Sequence, residues 1–520
     1  MRDGILACAS GILLVLSFPR FDLGFLAWVA LVPLLVALDG KSPGAALGLS
    51  YGTGVVFFVL LFSWISTVPT WNVVDGFLTK LVYLPQYVGL WGLGLVWIRR
   101  RTGLPAWLVA APLWVTSEYV RCHVSFLSLP WMFLGHSQHL YPPLIQISAV
   151  TGVYGLSFLI VLVNVAIAQT MLYFWRRSSV PPASLRFPTG EAATAGLLLL
   201  STLAYGLFTL TTGRAGTSVK VALVQGNIPQ ERKWDRSFRQ ETVARYARLT
   251  RQAVEQAPAL IVWPETAVPG DVEHDPDLRR VMARIAVDAK SHLLVGSAEY
   301  AKFTDRKLRE RLYNSMYLLS PEGKIAGQYR KIRLVPFGEY TPLRDLITWP
   351  EAIAATSGAF TAGDRYTRFT VGDVSFGAVI CWEIIYPDLF REFVKRGAEF
   401  MILGTNEAWF GDTAAPYQLL AMTVFRAVEN RVAIARSANT GVTALIDPFG
   451  RITHRLRGPD GRDLFVEGIL LGDMAVAAGR TLYTAYGDVF AYLAIGATLC
   501  FGSWAMRGPV AHGLLAEQGT

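Results

Sequence analysis

Apolar residues concentrate in two parts of the chain, before position 212 and after position 484, and the stretch between them has the mixed pattern of a soluble domain. A membrane-spanning helix needs about 20 mostly apolar residues. Eight segments approach this requirement, and the first two are short: Gly4–Pro19, Phe25–Leu38, Ala46–Ile65, Leu81–Ile98, Leu104–Val120, Leu144–Trp175, Ala193–Leu210 and Tyr486–Met506. The pattern predicts a membrane domain of about seven helices over residues 1–212 and a last spanning helix within a C-terminal segment, residues 485–520.

The middle segment, residues 213–484, alternates short β-rich runs with amphipathic helical stretches. Predicted strands are Val219–Val224, Leu260–Trp263, Leu293–Ser297, Tyr313–Leu319, Ser375–Cys381, Phe400–Thr405, Ala433–Ser437 and Thr443–Asp447. Predicted helices are Phe238–Gln256, Asp277–Ala289, Leu389–Lys395 and Gln418–Arg431. Such alternation is typical of a layered α/β domain.

Composition agrees with a chain that is partly in a bilayer. Charged residues make up 17 % and the mean hydropathy is +0.36, whereas soluble proteins carry about 25 % charged residues. The net charge of +9 does not indicate nucleic-acid binding, because arginine clusters such as Arg99–Arg101 and Arg176–Arg177 adjoin apolar spans. They predict a cytoplasmic N-terminus by the positive-inside rule, and the middle domain then lies outside the membrane, facing the periplasm.

Cysteine is scarce in this sequence. Three of the four cysteines lie in or near apolar spans, and Cys381 is the one in the middle domain. Neither a disulfide framework nor Cys/His zinc spacing is available. We therefore expect no metal and no cofactor.

Three residues of the middle domain form a coherent catalytic set. Glu265 and Cys381 each end a predicted apolar strand, and Lys331 lies close after another. Strand ends open onto the ligand crevice of an α/β sheet, so residues far apart in sequence can converge there. Cys381 would be the nucleophile, Glu265 the general base and then the general acid, and Lys331 the group that stabilises the oxyanion.

None of the three residues would be convincing by itself. A single cysteine at a strand end is usually a small buried hydrophobe. Glu265 follows a proline and fits a solvated loop, and Lys331 stands in a run of charges that fits an exposed surface. The catalytic interpretation therefore depends on the three occurring together.

The joint pattern, in this chain order, resembles the Glu-Lys-Cys triad of the nitrilase superfamily, and longer motifs are similar to the apolipoprotein N-acyltransferase family. The segments that carry the resemblance are Pro130–Gln138, Val224–Gln230, Lys233–Trp234, Trp263–Glu265, Tyr329–Lys331, Leu334–Tyr340, Cys381–Glu383, Thr405–Gly411 and Ser437–Gly441. The resemblance covers nearly the whole chain. It implies eight membrane helices joined to an extracytoplasmic nitrilase-like αββα sandwich.

The same resemblance implies roles for further residues. Glu339 and Glu383 match essential carboxylates, which would orient Lys331 and keep it charged, and Trp234 matches an aromatic residue at the substrate entrance. Trp382 is a departure, because the family usually has Tyr after the nucleophile; the main-chain N–H survives this change, and a phenolic hydroxyl does not. Trp234, Trp382 and Trp409 are candidates for an apolar wall around the site.

The resemblance also implies substrates and a location. The acyl donor would be the sn-1 ester of a membrane phospholipid and the acceptor the α-amine of a diacylglyceryl-cysteine in an apolipoprotein, with ping-pong kinetics through a thioester. The expected location is the bacterial inner membrane, where the protein acts as a monomer without nucleic acid. Because one nucleophile serves two substrates in turn, the polar, glycine-bearing stretch Arg344–Arg365 is a candidate flap.

Other functions stay open at this stage. An amidohydrolase would use the same triad and pass the acyl group to water. A transporter or membrane scaffold would carry an inactive nitrilase domain, although transport predicts ionisable residues inside the spans, where few occur beyond Glu118. A metal enzyme has the least support, and the preferred lipid headgroup, acyl chain and lipoprotein cannot be deduced from the sequence.

Overall fold

The computed structural model describes residues 1–68, 76, 78–178, 187–213, 216–233, 236–303, 309–344, 346–348, 359–476 and 479–507. The chain divides into two units. A helical unit comprises Met1–Ser66, Asn72–Thr212 and Tyr486–Thr520, and an α/β unit comprises Thr67–Trp71 and Gly213–Ala485.

The helical unit is built from apolar helices. In the described residues they are α1 (Arg2–Leu16), α2 (Val32–Ala37), α3 (Pro43–Leu61), α4 (Pro85–Thr102), α5 (Ala106–His123), α6 (Pro142–Ile145), α7 (Ser148–Thr151), α8 (Val153–Arg177), α9 (Thr189–Thr212) and α16 (Val489–Arg507). Five helical stretches of this part are long and apolar enough to cross a membrane: Pro43–Leu61, Thr79–Thr102, Val153–Arg177, Thr189–Thr212 and Val489–Arg507.

Two of the eight predicted spans are interrupted. The segment predicted at Phe25–Leu38 is a 3₁₀ turn followed by the short helix α2. Such a break exposes main-chain polar groups that lipid cannot satisfy, and buried Asn164 of α8 satisfies two of them, accepting from Leu31 N at 2.8 Å and donating to Ala27 O at 2.9 Å. In the segment predicted at Leu144–Trp175, α7 ends at Gly152, whose φ of 62° favours glycine, and α8 begins there.

The α/β unit contains two six-stranded sheets. Its strands are β1 (Ser218–Gln225), β2 (Leu260–Val262), β3 (His292–Phe303), β4 (Arg309–Leu319), β5 (Ile325–Arg330), β6 (Arg368–Val371), β7 (Val374–Ile380), β8 (Phe400–Thr405), β9 (Ala433–Ala438), β10 (Ala444–Ile446), β11 (Ile452–Arg455) and β12 (Gly468–Ala475). The first sheet has the order β12-β1-β2-β3-β4-β5 and the second the order β11-β10-β9-β8-β7-β6. Strands β1–β3 are parallel, and so are β7–β9.

All eight predicted strands are present, and four further strands were not predicted. The four are β5, β6, β11 and β12, the edge strands of the two sheets. An edge strand of an antiparallel pair is partly solvated and need not form an apolar run. The exposed and half-exposed positions of β6 and β11 agree with this reason.

Helices cover the sheets. They are α10 (Gln230–Lys233), α11 (Arg239–Val254), α12 (Pro276–Ala289), α13 (Pro387–Lys395), α14 (Ala415–Asn430) and α15 (Leu482–Tyr486). Local chemistry sets their limits: α12 begins after Asp275, whose carboxylate accepts from the main-chain N–H of Asp277 and Leu278, with Pro276 in the first turn. Its apolar side packs on the first sheet through buried Met282 and Leu278.

The two sheets pack face to face between these helices. A Cβ on Gly404 of β8 would lie 2.9 Å from the side chain of Met316 in β4, so glycine lets the sheets approach. Helices α11 and α12 flank the first sheet, and α13 and α14 flank the second. The predicted fold class, a helical membrane domain joined to a layered αββα domain, is confirmed.

Candidate active site

The three predicted catalytic residues lie at the ends of three strands. Glu265 follows β2, Lys331 directly follows β5, and Cys381 directly follows β7. Ends of strands from both sheets meet at one cavity, which all three residues line. The structure therefore brings together three residues that are at least 50 positions apart in sequence.

Lys331 is buried between two carboxylates. Its Nζ lies 2.9 Å from Glu339 Oε1 and 3.5 Å from Glu265 Oε1, and the residue is 1 % exposed. Burial by itself lowers the pKa of Lys331, but the charges of Glu339, Glu265 and Cys381 outweigh burial and raise that pKa well above its ordinary value. Lys331 is therefore a permanent cation, and Glu339 contacts it as predicted.

Glu265 is held as a hydrogen-bond acceptor on both oxygens. Oε1 accepts from Asn314 Nδ2 at 2.7 Å, and Oε2 accepts from the main-chain N–H of Asn406 at 2.8 Å. Asn314 belongs to the first sheet, whereas Asn406 follows β8 of the second. The carboxylate is thus oriented by both sheets at once.

Asn314 is a residue that the sequence analysis missed. Its Nδ2 donates to Glu265 Oε1 and, at 3.0 Å, to Glu339 Oε1, so one amide connects the two carboxylates that flank Lys331. The side chain is buried and lines the cavity. The signal that could have found it is an asparagine two positions before Met316, on the face of β4 that packs against the second sheet.

Glu383 accepts hydrogen bonds mainly from main-chain N–H groups. Oε1 accepts from Tyr329 Oη and from the N–H groups of Ile332 and Arg333 at 2.7, 2.7 and 3.0 Å, and Oε2 accepts from Ile380 N at 2.8 Å. Among the ion pairs of the described residues, none joins Glu383 to Lys331. The carboxylate therefore contacts the loop that follows Lys331 through main-chain hydrogen bonds, whereas Glu339 contacts the lysine directly.

Cys381 has a strained backbone. Its φ is 51°, in the left-handed region that a residue with a Cβ rarely adopts. Burial and the charge of Glu265 raise the pKa of the thiol well above its ordinary range, against the opposing charge of Lys331. Burial therefore favours the protonated thiol, which needs a base when it attacks, and Glu265 is the residue expected from the sequence to be that base.

The cavity has an apolar wall. Trp382 is buried and Trp409 is 39 % exposed, and both line the cavity with Val68, Phe360 and Phe410. Trp382 Nε1 donates to Tyr386 Oη at 3.2 Å, which fixes its ring. Trp234, the predicted entrance residue, lies outside the described residues.

The predicted flap, Arg344–Arg365, is described in part. Residues 345 and 349–358 lie outside the described ranges. At its C-terminal end, Phe360 N donates to Glu339 O at 3.0 Å and Gly363 N to Lys331 O at 2.7 Å. This end of the stretch is fixed to the main chain of two site residues.

A buried ion pair lies close to the site. Arg436 of β9 contacts Glu407, and both residues are at most 1 % exposed. Thr405 Oγ1 also donates to Glu407 Oε1 at 3.3 Å. Burial raises the pKa of Glu407 despite Arg436.

In the described part of the chain, no group of three or more His, Cys, Asp or Glu side chains is arranged to hold a metal ion.

Comparison with known proteins first identifies the broad family that the α/β unit matches. Residues 220–478, which include all twelve strands of the two sheets except the first two residues of β1, match the carbon-nitrogen hydrolase family. A solved amidase from Nesterenkonia sp. is 20 % identical, with a TM-score of 0.37, and the match covers 51 % of this chain and 94 % of the amidase.

Further matches identify a more specific family, and two of them extend over nearly the whole chain. Residues 10–166 match the apolipoprotein N-acyltransferase N-terminal domain. Proteins named apolipoprotein N-acyltransferase are 39 % identical in Geobacter metallireducens, over 98 % of this chain and 96 % of that protein, and 32 % identical in Chlorobaculum tepidum, over 94 % and 93 %. The chain belongs to the apolipoprotein N-acyltransferase family, which confirms the predicted resemblance, and with its apolar helices it is a bacterial membrane protein.

Proposed function

We propose that this chain transfers a fatty acyl group from the sn-1 position of a phospholipid, through a thioester on Cys381, to the N-terminal α-amine of diacylglyceryl-cysteine in apolipoproteins. Family membership supports the overall reaction. The observation that carries the chemistry is the cavity where Cys381, Glu265 and Lys331 meet.

In the first step Glu265 takes the proton of the Cys381 thiol while sulfur attacks the ester carbonyl. The ammonium of Lys331 stabilises the oxyanion of the tetrahedral intermediate. When the intermediate collapses, the C–O bond breaks, Glu265 gives the proton to the departing alcohol, and a lysophospholipid leaves. The raised pKa of the thiol supports this concerted use of a base.

In the second step the neutral α-amine of the acceptor attacks the thioester. The C–S bond breaks, and the proton lost by the amine returns through Glu265 to the sulfur of Cys381. The tryptophans that line the cavity limit the access of water, which would otherwise hydrolyse the intermediate. The two steps share one nucleophile, so the kinetics are ping-pong.

The supporting residues keep this site charged and oriented. Glu339 holds Lys331 at 2.9 Å, and Glu383 fixes the main chain after Lys331 and before Cys381. The apolar helices would hold the enzyme in the inner membrane as a monomer, with the α/β unit on the periplasmic side. Anchoring in the membrane suits a phospholipid substrate, because removal of a lipid from a bilayer costs about 0.8 kcal/mol for each CH₂ group.

Intact-mass analysis of the full chain in phospholipid–detergent micelles tests the proposal. The wild type should gain the mass of one acyl chain, removable by hydroxylamine, and Cys381→Ala should not. Cys500→Ala is a matched control, because it removes an exposed cysteine of the helical unit and should acylate like the wild type. Addition of a diacylated lipopeptide should then discharge the adduct and yield a triacylated peptide.

The outcomes separate the competing functions. Release of free fatty acid without transfer to the lipopeptide would indicate an amidohydrolase-like enzyme. A folded wild type that forms no adduct and releases no fatty acid would overturn the proposed activity. An adduct that persists in Cys381→Ala would show that another residue is the nucleophile.

A further inference from the structure

A second buried lysine, Lys233, contacts the main chain of Glu265, the proposed general base. Lys233, the last residue of α10, is 2 % exposed, and its Nζ donates to the main-chain oxygen of Glu265 at 2.8 Å. No carboxylate lies within ion-pair distance of Lys233 among the described residues. Lys331, by contrast, has two carboxylates within 3.5 Å.

An ammonium is costly in such a place when, as among the described residues here, no carboxylate forms an ion pair with it. Burying a charge without an opposite charge costs several kcal/mol, and a single carbonyl offsets part of this. A methionine would fill the same volume without that cost. Because methionine would pack equally well at position 233, the lysine there indicates a role for its charge.

Two residues of α10 hold Glu265, one by a direct hydrogen bond and the other through Asn406. Lys233 bonds the carbonyl of Glu265 directly. One turn earlier, Gln230 Oε1 accepts from Asn406 Nδ2 at 2.9 Å, and the main-chain N–H of Asn406 donates to Glu265 Oε2. The main chain and the carboxylate of Glu265 are thus both held from α10.

The opposite side of the Glu265 main chain is also fixed. A Cβ on Gly296 of β3 would lie 2.4 Å from Pro264 O and 2.8 Å from Glu265 Cα, so the segment lies directly against that glycine. Thr266 has a φ of 44°, a conformation that persists where the surroundings enforce it. Lys233 and Gly296 hold this segment between them.

We propose that Lys233 is a positioning residue for the acyl-transfer reaction: it fixes the Glu265 segment against Gly296, and its positive charge stabilises the negative charge that passes between Cys381 and Glu265. This role rests on the proposed function. Lys233 acts through Glu265 and is not among the residues that line the cavity.

The ionisation of Lys233 agrees with this role. Burial lowers the pKa of Lys233 to about 7, and the charges of Glu265 and Cys381 oppose that shift. These two, one after β2 and one after β7, are the titratable groups of the described residues that act on it. Below pH 7 the lysine is a cation that favours the thiolate, and as the pH rises through 7 it becomes neutral and this support disappears.

The experiment measures the reactivity of Cys381 itself. The full-length protein in phospholipid–detergent micelles is treated with iodoacetamide from about pH 5 to about pH 9, on both sides of the lysine titration. Mass spectrometry of the Cys381 peptide gives the alkylation rate. The variants are Lys233→Met, Lys233→Arg and the control Lys220→Met, which removes a lysine that also donates to a main-chain carbonyl, Gln256 O, away from the site.

The wild-type profile should bend near pH 7, because the rise in thiolate with pH is partly cancelled when Lys233 loses its charge. Lys233→Met should show no bend and should react more slowly below pH 7, by about tenfold, the order of magnitude for the interaction of single charges at an effective dielectric constant near 20. Lys233→Arg should also show no bend but keep the fast rate on both sides. Lys220→Met should match the wild type.

A bend at pH 7 in Lys233→Arg or Lys233→Met would overturn the role of the charge. A slowing of Lys233→Met by one factor at every pH would reduce Lys233 to a packing residue. Thermal unfolding of each variant detects misfolding, and Lys233→Arg keeps the test decisive if Lys233→Met does not fold. A wild type that bends but never acquires an acyl group from phospholipid would overturn the proposed function, and with it the role of Lys233 in acyl transfer, while the effect of Lys233 on the Cys381 thiol would still be measured.

Discussion

Asn314→Leu is the substitution that most directly tests how the two carboxylates are held. Leucine keeps the approximate volume of the side chain and removes the donor that Glu265 Oε1 and Glu339 Oε1 share, at 2.7 and 3.0 Å. A hydrogen bond to a charged group contributes about 1.5–3 kcal/mol. Losing both would cost about 3–6 kcal/mol if nothing replaced them.

Two features of the site reduce that figure. Glu265 keeps the N–H of Asn406 and Glu339 keeps that of Val335, at 2.8 Å each. The cavity is also large enough to admit water to the vacated position. We therefore expect the loss to fall mainly on catalysis, with acyl-enzyme formation about a hundredfold slower, which corresponds to about 2.7 kcal/mol of transition-state stabilisation.

The assay is single-turnover formation of the Cys381 acyl adduct, followed by intact mass. Ser315→Ala provides a matched control, since the neighbouring residue also donates to a buried carboxylate, Glu299 Oε2 at 2.8 Å, but points to the other face of β4. The control should acylate within about twofold of the wild type. A folded Asn314→Leu protein that acylates at the wild-type rate would refute this reasoning, as would an equal loss in Ser315→Ala.

Three further substitutions test the surrounding framework. Glu383→Gln places an amide donor opposite Ile380 N, so we expect slower acylation at Cys381 and a stability loss of about 1–3 kcal/mol; an unchanged acylation rate in that variant would contradict the role of Glu383. Asp275→Ala removes the N-cap of α12 and should cost about 1 kcal/mol in chemical denaturation with no change in acylation rate. Arg436→Met strands the buried carboxylate of Glu407 and should cost about 3–5 kcal/mol, most of which the double change with Glu407→Leu should restore; if the double variant is no more stable than the single one, the pair is not the cause.

The sequence predicted the central strands because buried apolar strands leave strong local signals, and it predicted the candidate catalytic residues because their motifs occur together. Buried parallel strands such as β8 form uninterrupted apolar runs, and Glu265, Lys331 and Cys381 stand in motifs next to such runs. The edge strands were missed because one side of each is solvated and the apolar run disappears. The breaks in two membrane segments were missed because they depend on a distant partner, such as Asn164 of α8.

The supporting residues of the site could not be predicted for a related reason. Asn314 and Lys233 act through contacts with Glu265 that span 49 and 32 positions of sequence, and neither residue type in isolation indicates a role. Glu383 was identified by resemblance, but its partners are main-chain N–H groups, whose direction depends on the folded loop. Geometry of this kind is a property of the packed sheets and not of any one segment.

Each sheet supplies different residues of the active site, so the site is complete only when both sheets have folded. The first sheet supplies Glu265 and Asn314, and the second supplies Cys381 and the N–H of Asn406 that orients the base. A chain that has folded only β1–β5 has the carboxylate without the thiol, and β12, the last strand of the first sheet, follows every strand of the second sheet. The candidate site is therefore complete only when nearly the whole α/β unit has folded and the two sheets have closed.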